Sequence, residues 1–283
     1  MKNTKLPGAP AGRLQSGVQS YLSPRALDRW NPGLRAAAEG EDAENTISIF
    51  DVIGYDYWTG EGVTAKRIAA ALRSIGANPV TVYVNSPGGD MFEGLAIYNL
   101  LREHKGEVTI KVLGLAASAA SIIAMAGDTT QIARAGFLMI HNAWVVAVGN
   151  RNDLRDYADT LEPFDRAMAD IYAARTGQEL KAMQKLMDAE TWIGGSDAVE
   201  GGFADELLPA DQVERGEAKA SAAAVRKIEA ALRASGLPRS DAQRLLNEFK
   251  SSLSDSAGTG LSDSAAAATS EADITAALRN FSL

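Results

Sequence analysis

The sequence predicts an α/β fold built on a mainly parallel β-sheet. Short segments rich in valine and isoleucine alternate with helix-like segments between residues 46 and 140. The first kind is typical of buried strands, and the apolar spacing of the second kind is typical of helices that pack on a sheet. Because strands and helices alternate, we expect crossover connections, which place neighbouring strands parallel to each other.

Strands and helices are predicted in turn along the first half of the chain. Residues 46–53 alternate polar and β-branched side chains, which predicts the first strand. Thr64 can cap a helix that carries Ile68 and Leu72 on one face, and Gly76 suits its C-terminal end. Further strands are predicted at residues 79–85, 107–113, 131–133 and 137–140, and further helices at residues 90–103 and 118–126.

Helices dominate the prediction for the region that follows. Apolar residues from Leu154 to Ile171 recur at helical spacing, which predicts a long helix over residues 150–175 that Gly177 closes. Its apolar stripe is most simply a core-facing surface, although a subunit contact is also open. Two shorter helices follow, one at residues 178–187 and one that begins at Ser196 or Asp197.

Composition divides the chain into three parts. Residues 1–44 contain four prolines and no regular pattern, which predicts an extended N-terminal arm or leader. Residues 45–209 hold the alternating pattern and predict the compact domain. Residues 210–283 combine alanine-rich charged segments with a low-complexity stretch at 254–270, which predicts a helical and partly disordered extension or a segment that folds on a partner.

Charge and residue usage narrow the chemistry that is available. The net charge is -8 at pH 7, which argues against nucleic acid as the main partner. The 283 residues include no cysteine, so disulfides, thiolate metal sites and cysteine nucleophiles are excluded. The two histidines, His104 and His141, are too few for a dense metal site. No apolar run reaches the roughly 20 residues that cross a bilayer.

Three phrases place polar or glycine residues where strands are predicted to end. They are VNSPGGD at residues 84–90, GLAASAAS at residues 114–121 and FLMIHN at residues 137–142. Read together, they suggest an oxyanion hole, a serine nucleophile and a histidine base.

Small residues surround Ser118 where a strand turns into a predicted helix. A serine at a helix N-terminus lies near free N–H groups that can stabilise developing negative charge. Serine is also a preferred helix cap, so both interpretations stay open. Ser121 is the rival nucleophile, but it lies one turn further on and is expected to pack inside the helix.

His141 directly follows an apolar strand, whereas His104 ends a predicted helix, where a cation is favoured. His141 is therefore the better partner for a serine that must lose its proton, although a structural histidine is the plain alternative. Gly88 and Gly89 permit a close approach of substrate backbone, and their N–H groups could form half of an oxyanion hole. The lysine and Ser/Thr of a phosphate-binding loop are missing, but a plain turn stays open.

In combination these phrases identify a family. From residue 47 to residue 208 the chain resembles the Clp peptidase (ClpP) family of serine proteases. The matching phrases are NSPGG at 85–89, AASA at 116–119, MIH at 139–141 and AVEGGFAD at 198–205. The resemblance implies that the chain folds as a spiral of ββα units, a fold shared with crotonases. It also implies that several subunits assemble as rings.

The resemblance also implies roles for individual residues. Ser118 would be the nucleophile, His141 the general base, and the N–H groups of Gly88 and Ala119 the oxyanion hole. Chain order does not define such a triad, because geometry does. The peptidase chemistry requires no metal, nucleotide or organic cofactor.

The acid is the point at which this sequence departs from the family. Counting back from residues 198–200 puts Glu190 where the family usually has aspartate, with Asp188 as the alternative two residues earlier. Residues two apart on a helix point in different directions, so one of the two is expected to reach the histidine, and Glu190 is favoured. An extended substrate is expected to add as a strand beside Gly89 and Asp90.

The leader, the extension and the phrase at residues 190–192 look most like the phage and prophage head-maturation proteases of this family. Those enzymes process scaffold and coat proteins inside an immature capsid, which implies a location in the host cytoplasm or the prohead. Expected partners are further copies of the chain and protein substrates, not nucleic acid or membrane. The alternatives are a housekeeping Clp subunit that works with an ATPase unfoldase, an inactive structural homologue, and a crotonase-type acyl-CoA enzyme.

Overall fold

In a computed structural model, the chain divides into two units, Met1–Gly236 and Leu237–Leu283. The structure describes residues 6–9, 18–20, 22–36, 43–56, 62–209, 213–215, 225, 228–229, 231–233 and 237–257. The predicted terminal helix and most of the predicted low-complexity linker lie outside these residues, as do parts of the predicted arm.

A mostly parallel sheet of seven strands carries the larger unit, as predicted. Five strands are parallel neighbours in the order β10 (Glu206–Leu208), β6 (Thr129–Ala133), β5 (Val108–Ala117), β4 (Val80–Ser86) and β3 (Thr46–Ile49). β7 (Phe137–Ile140) pairs in parallel with β5 and antiparallel with β9 (Thr191–Gly194). The antiparallel strand β9 follows the segment that contains the candidate acids.

The long strand β5 brings the two main candidate residues to one place. Its first half pairs with β6, and its last three residues, Leu115 to Ala117, pair with Phe137 to Met139 of β7. Both strands run in the same direction, so the residues that follow β5 and β7 emerge side by side. Ser118 follows β5 and His141 follows β7, which puts them at the same edge of the sheet.

Capping residues begin the helices that pack on the sheet, as predicted for Thr64. Thr64 caps α2 (Ala65–Ile75), and Asp90 caps α3 (Met91–Glu103) by accepting the N–H groups of Phe92 and Glu93. The short helix α4 (Ala119–Ala124) is completely apolar apart from Ser121, and its residues are buried. Strand and helix side chains form one core, which includes Val82, Leu95, Ile110, Val112 and Ile123.

The long predicted helix is confirmed as α5 (Arg151–Thr176). Asn150 and Asp153 form a reciprocal capping box at its start, and Gly177 ends it in a left-handed conformation. The helix runs through Pro163. Two shorter helices follow as predicted, α6 (Leu180–Asp188) and α7 (Gly195–Glu200).

The described part of the predicted arm differs from the extended leader that we expected. It forms β1 (Val18–Ser20), which pairs with β8 (Val145–Ala147), then α1 (Pro24–Arg29), then β2 (Leu34–Ala36), which pairs with β11 (Val213–Arg215). The order comes from tertiary contacts, because Leu27 and Trp30 are buried against Leu115, Ala117 and Met139. A helix of six residues has too few apolar positions to show a period in the sequence.

In the second unit the described element is α8 (Arg239–Ala257), where the sequence predicted a helix from Ser240. Two of its large apolar side chains, Leu245 and Phe249, are exposed. Across the described part of the chain, no helix has both the length and the hydropathy of a membrane span.

Candidate active site

Ser118 lies on a sharp turn between β5 and α4. Its backbone has φ 54° and ψ -124°, a conformation that an L-residue rarely adopts. The turn is held by the Ser118 N–H, which donates to the carbonyl oxygen of Met139 on β7 at 2.8 Å. Strained strand-to-helix turns of this kind present a side chain at the top of a sheet, as in nucleophile elbows.

The side chain of Ser118 contacts His141. Its Oγ lies 2.7 Å from His141 Nε2, which is hydrogen-bonding distance. His141 is 9% exposed, and burial lowers the pKa of the imidazole below its ordinary value of 6.5, whereas the negative charge of Glu190 acts in the opposite direction. The imidazole is therefore neutral at pH 7 and can accept the serine proton through Nε2.

The two candidate acids have other partners in this structure. Arg25 Nη1 donates to Glu190 Oε1 at 3.2 Å, and Asn142 Nδ2 donates to Asp188 Oδ1 at 2.8 Å. Among the described residues, neither carboxylate is hydrogen-bonded to His141. The charge of Glu190 nevertheless acts on the pKa of His141, which makes it the acid with the stronger electrostatic link to the imidazole.

Gly88 lies against the serine turn. A Cβ at this position would stand 2.8 Å from Ser118 Cβ and 3.2 Å from the Ala119 nitrogen, so only glycine fits. Its φ of 88° also requires glycine. The Gly88 N–H donates to Ser86 Oγ at 3.2 Å, so the amide that the sequence assigned to the oxyanion hole is engaged within its own turn.

The neighbouring residues Gly89 and Asp90 differ in their roles. Gly89 lines the same cavity as Ser118, Ala119 and His141. Asp90 was expected to bind substrate, but its carboxylate caps α3. One edge of this segment is already paired, because the Ile53 N–H donates to Gly88 O at 2.8 Å and the Asp90 N–H donates to Ile53 O at 2.9 Å.

The cavity beside Ser118 is mainly apolar. Beyond the predicted site residues, the sequence did not identify the residues that line it, because apolar residues in helices and loops are normally core. The side chains that line it, apart from the residues already named, include Met91, Leu95, Ile122, Trp144, Met168 and Tyr172.

Ser121 and His104 have structural roles, as expected. The Ser121 hydroxyl is completely buried, donates to Ser118 O at 2.6 Å and lies 2.7 Å from the Tyr172 hydroxyl. His104 ends α3, with its Nε2 lying 2.8 Å from Asn78 O. Within the described ranges, no group of three or more histidine, aspartate or glutamate residues could hold a metal ion.

Known proteins place the chain in context. It is 28% identical over 208 residues to the ATP-dependent Clp protease proteolytic subunit 3 of Streptomyces avermitilis, a match that covers 72% of this chain and 92% of the relative. It is 28% identical over 149 residues to proteolytic subunit 1 of Streptomyces coelicolor, which covers 51% and 68% of the two chains. A solved ClpP1 mutant from Listeria monocytogenes aligns at 23% identity and a TM-score of 0.48, over 59% of this chain and 92% of that one.

The family model for Clp protease matches residues 62–211. This match spans more than half of the 283 residues and includes Ser118, His141 and both candidate acids. It ends before α8 and begins after α1. The chain therefore belongs to the Clp protease family.

Proposed function

We propose that the protein is a serine endopeptidase in which Ser118 attacks the carbonyl carbon of a peptide bond. The observation that carries the proposal is the 2.7 Å contact between Ser118 Oγ and His141 Nε2 in a chain of the Clp protease family. His141 takes the hydroxyl proton and then gives it to the leaving amine. Water, deprotonated by the same imidazole, releases the acyl-enzyme.

The oxyanion of the tetrahedral intermediate needs N–H donors beside Ser118. The Ala119 N–H at the start of α4 is the first donor that we propose. The second comes from the Gly88–Gly89 turn, either from Gly88 after its N–H leaves Ser86 Oγ or from Gly89, which lines the cavity. Losing one such donor typically costs about 10²–10³ in kcat.

Glu190 is the acid that we propose for the triad, with Asp188 as the alternative. A carboxylate at this position holds the histidine tautomer and stabilises the imidazolium that forms during attack. The electrostatic effect of Glu190 on the pKa of His141 supports this role. To accept a hydrogen bond from His141 Nδ1–H, the Glu190 carboxylate must turn from Arg25 towards the imidazole.

The substrates that we propose are proteins, cleaved by a ring of identical subunits. The cavity beside Ser118 is small and mainly apolar, which suits a small apolar group next to the scissile bond. The resemblance of the N-terminal segment, the C-terminal extension and residues 190–192 to phage head-maturation proteases leads us to propose capsid or scaffold proteins as the substrates. A housekeeping subunit partnered by an ATPase is the second candidate, because both Streptomyces relatives are named as ATP-dependent proteolytic subunits.

A fluorophosphonate probe tests the peptidase chemistry directly. Wild type is expected to become labelled, and Ser118→Ala is expected to lose the label completely. Ser196→Ala, a change to an exposed serine on α7, is the matched control and should label as wild type does. Equal labelling of wild type and Ser118→Ala, or none of either, would reject the proposed nucleophile.

A second experiment separates the two substrate classes. Co-expression with a coat or scaffold protein should yield shortened coat or scaffold protein in the wild type and intact protein in Ser118→Ala. The housekeeping alternative instead predicts that casein is degraded only when an ATP-driven unfoldase is added.

A further inference from the structure

The N-terminal segment of residues 22–36 contacts the elements that carry the candidate site. Leu27 and Trp30 pack on Ala117 and Met139, which immediately precede the serine turn and the histidine strand end. The Trp30 Nε1–H donates to the carbonyl oxygen of Asn85, just before the glycine turn, at 2.9 Å. These contacts fix α1 against the strands that precede Ser118 and His141.

From the anchored helix one side chain reaches the candidate acid. Arg25 Nη1 lies 3.2 Å from Glu190 Oε1. The Arg25 side chain is 73% exposed and that of Glu190 is 26% exposed, so the ion pair lies at the surface. Arg29 belongs to the same helix but lies over the ring of Trp192, at 4.1 Å from the ring centre.

We propose that Arg25 is a positioning residue that acts through Glu190. In the state seen here it holds the Glu190 carboxylate and so keeps it from His141 Nδ1, which leaves the catalytic triad without its acid. Release of Arg25 frees the carboxylate to accept a hydrogen bond from His141 Nδ1–H. This inference rests on the proposed peptidase function, because it assigns a regulator to the same site.

The ion pair between Arg25 and Glu190 is weak enough to form and break reversibly. Arg25 and His141 compete for one carboxylate, and an Arg25 guanidinium beside Glu190 also offsets the negative charge that would stabilise an imidazolium. Exposed ion pairs are weak, and their strength corresponds to at most about a fivefold change in an equilibrium. They are further weakened by salt, since the Debye length falls from about 10 Å at 0.1 M to about 3 Å at 1 M.

The residue also lies outside the region that matches the family model, residues 62–211. If a partner or a cleavage displaced α1 from the apolar residues on which it packs, Arg25 would leave Glu190 at the same time.

The test compares kcat/KM for a peptide substrate, and the rate of fluorophosphonate labelling, at low salt. Arg25→Gln is expected to raise both by about two- to fivefold, because it removes the competitor for the carboxylate. Arg25→Lys keeps the charge and should stay near wild type. Arg29→Gln is the matched control on the same helix and should not change the rate. Added salt should raise the wild-type rate and leave Arg25→Gln unchanged.

Two results identify Glu190 as the mediator. In a Glu190→Gln background, Arg25→Gln should give no increase, which a merely structural effect would not explain. In protein labelled with ¹⁵N-histidine, the two histidines give separate signals, and the His141 Nδ1–H proton should move downfield in Arg25→Gln as it bonds to the carboxylate.

The outcomes are distinguishable. Suppose that wild type is labelled, but that Arg25→Gln shows neither a faster rate of labelling and peptide cleavage nor a shifted His141 proton signal. This result would overturn the role of Arg25 and leave the peptidase proposal standing. A rate increase that persists in the Glu190→Gln background would also overturn it. Absence of Ser118-dependent labelling in every variant would overturn the peptidase proposal, and the role of Arg25 would fall with it.

Discussion

His141 combines burial with a nearby negative charge, and the two act in opposite directions on its pKa. Burial is the larger effect, so the pKa lies below the usual 6.5. A general base must be neutral to accept a proton. The site is therefore expected to keep its activity at a lower pH than an exposed histidine would allow.

The pH profile of kcat/KM tests this expectation. Its acid limb should have its midpoint below pH 6.5 in the wild type. Glu190→Gln should move the midpoint further down, because the charge that raises the pKa of His141 is removed, and should also lower the maximal rate. Steady-state kinetics between pH 4.5 and 8 measure both effects.

Asp165 is the control for that profile. Burial raises the pKa of its carboxyl to about 6, so it is expected to titrate in the same range. It accepts the N–H of Ala143 at 2.6 Å, two residues beyond the histidine. If the acid limb of the pH profile reports the titration of His141, Asp165→Asn should leave the midpoint of that limb unchanged. A midpoint that moves in Asp165→Asn and not in Glu190→Gln would contradict the assignment.

At the scale of residues, short-range patterns were predictable and distant partners were not. Ser118 and His141 are predicted as partners because each follows a predicted strand and lies in a motif that resembles the Clp peptidase family, and β5 and β7 bring the two residues together. The partner of Glu190 was not predictable, since Arg25 is 165 positions away and lies on a six-residue helix. Nor does the sequence reveal that the Gly88 N–H donates to Ser86 Oγ, because that depends on the turn's dihedral angles.

At the scale of elements, the position of the nucleophile depends on how closely α3 packs on α4. A Cβ at Gly94 of α3 would stand 2.8 Å from Ala119 Cβ, the first side chain of α4. Contacts this short require one helix to move. Because Ser118 immediately precedes α4, a shift of that helix would displace its hydroxyl from His141.

Gly94→Ala is therefore expected to lower kcat/KM by about tenfold to a hundredfold, since displacements near 1 Å can cost that much. Alanine improves helix propensity by about 1 kcal/mol, so a loss of activity would not reflect a weaker α3. Adding Ala119→Gly removes the facing methyl group, keeps the residue 119 N–H and should restore most of the rate. Full activity of Gly94→Ala alone, with unfolding curves like those of wild type, would show that the helices can adjust.

Long elements with caps were predictable, and short ones held by contacts were not. The helix α5 is 26 residues long, so its apolar stripe recurs over many turns. Asn150 and Gly177 mark the two ends of the helix. By contrast, β1, β2, β8 and β11 have three residues each, which is too short for a period to appear. These short strands pair within the first unit over large sequence separations, so the leader that looked irregular carries ordered structure.

At the scale of the whole molecule, the segments outside the family match differ in how well a peptidase could reach them. A protease needs an extended backbone without other partners. In the N-terminal segment, β1 and β2 are paired with other strands and Leu27 and Trp30 are buried. The region at residues 258–270 lies outside the described residues, and its Ser/Ala/Gly/Asp composition is that of a low-complexity linker.

If the proposed peptidase processes itself, cleavage is therefore expected within residues 258–270 and not within residues 18–36. Mass spectrometry of purified wild type should show loss of a C-terminal fragment, whereas Ser118→Ala should retain the full 29.9 kDa. Mixing in a small amount of wild type should shorten Ser118→Ala if one molecule can cut another. The same truncation in Ser118→Ala expressed alone would assign it to a host protease. A cut between residues 18 and 36 would mean that the paired N-terminal strands open more readily than their contacts predict.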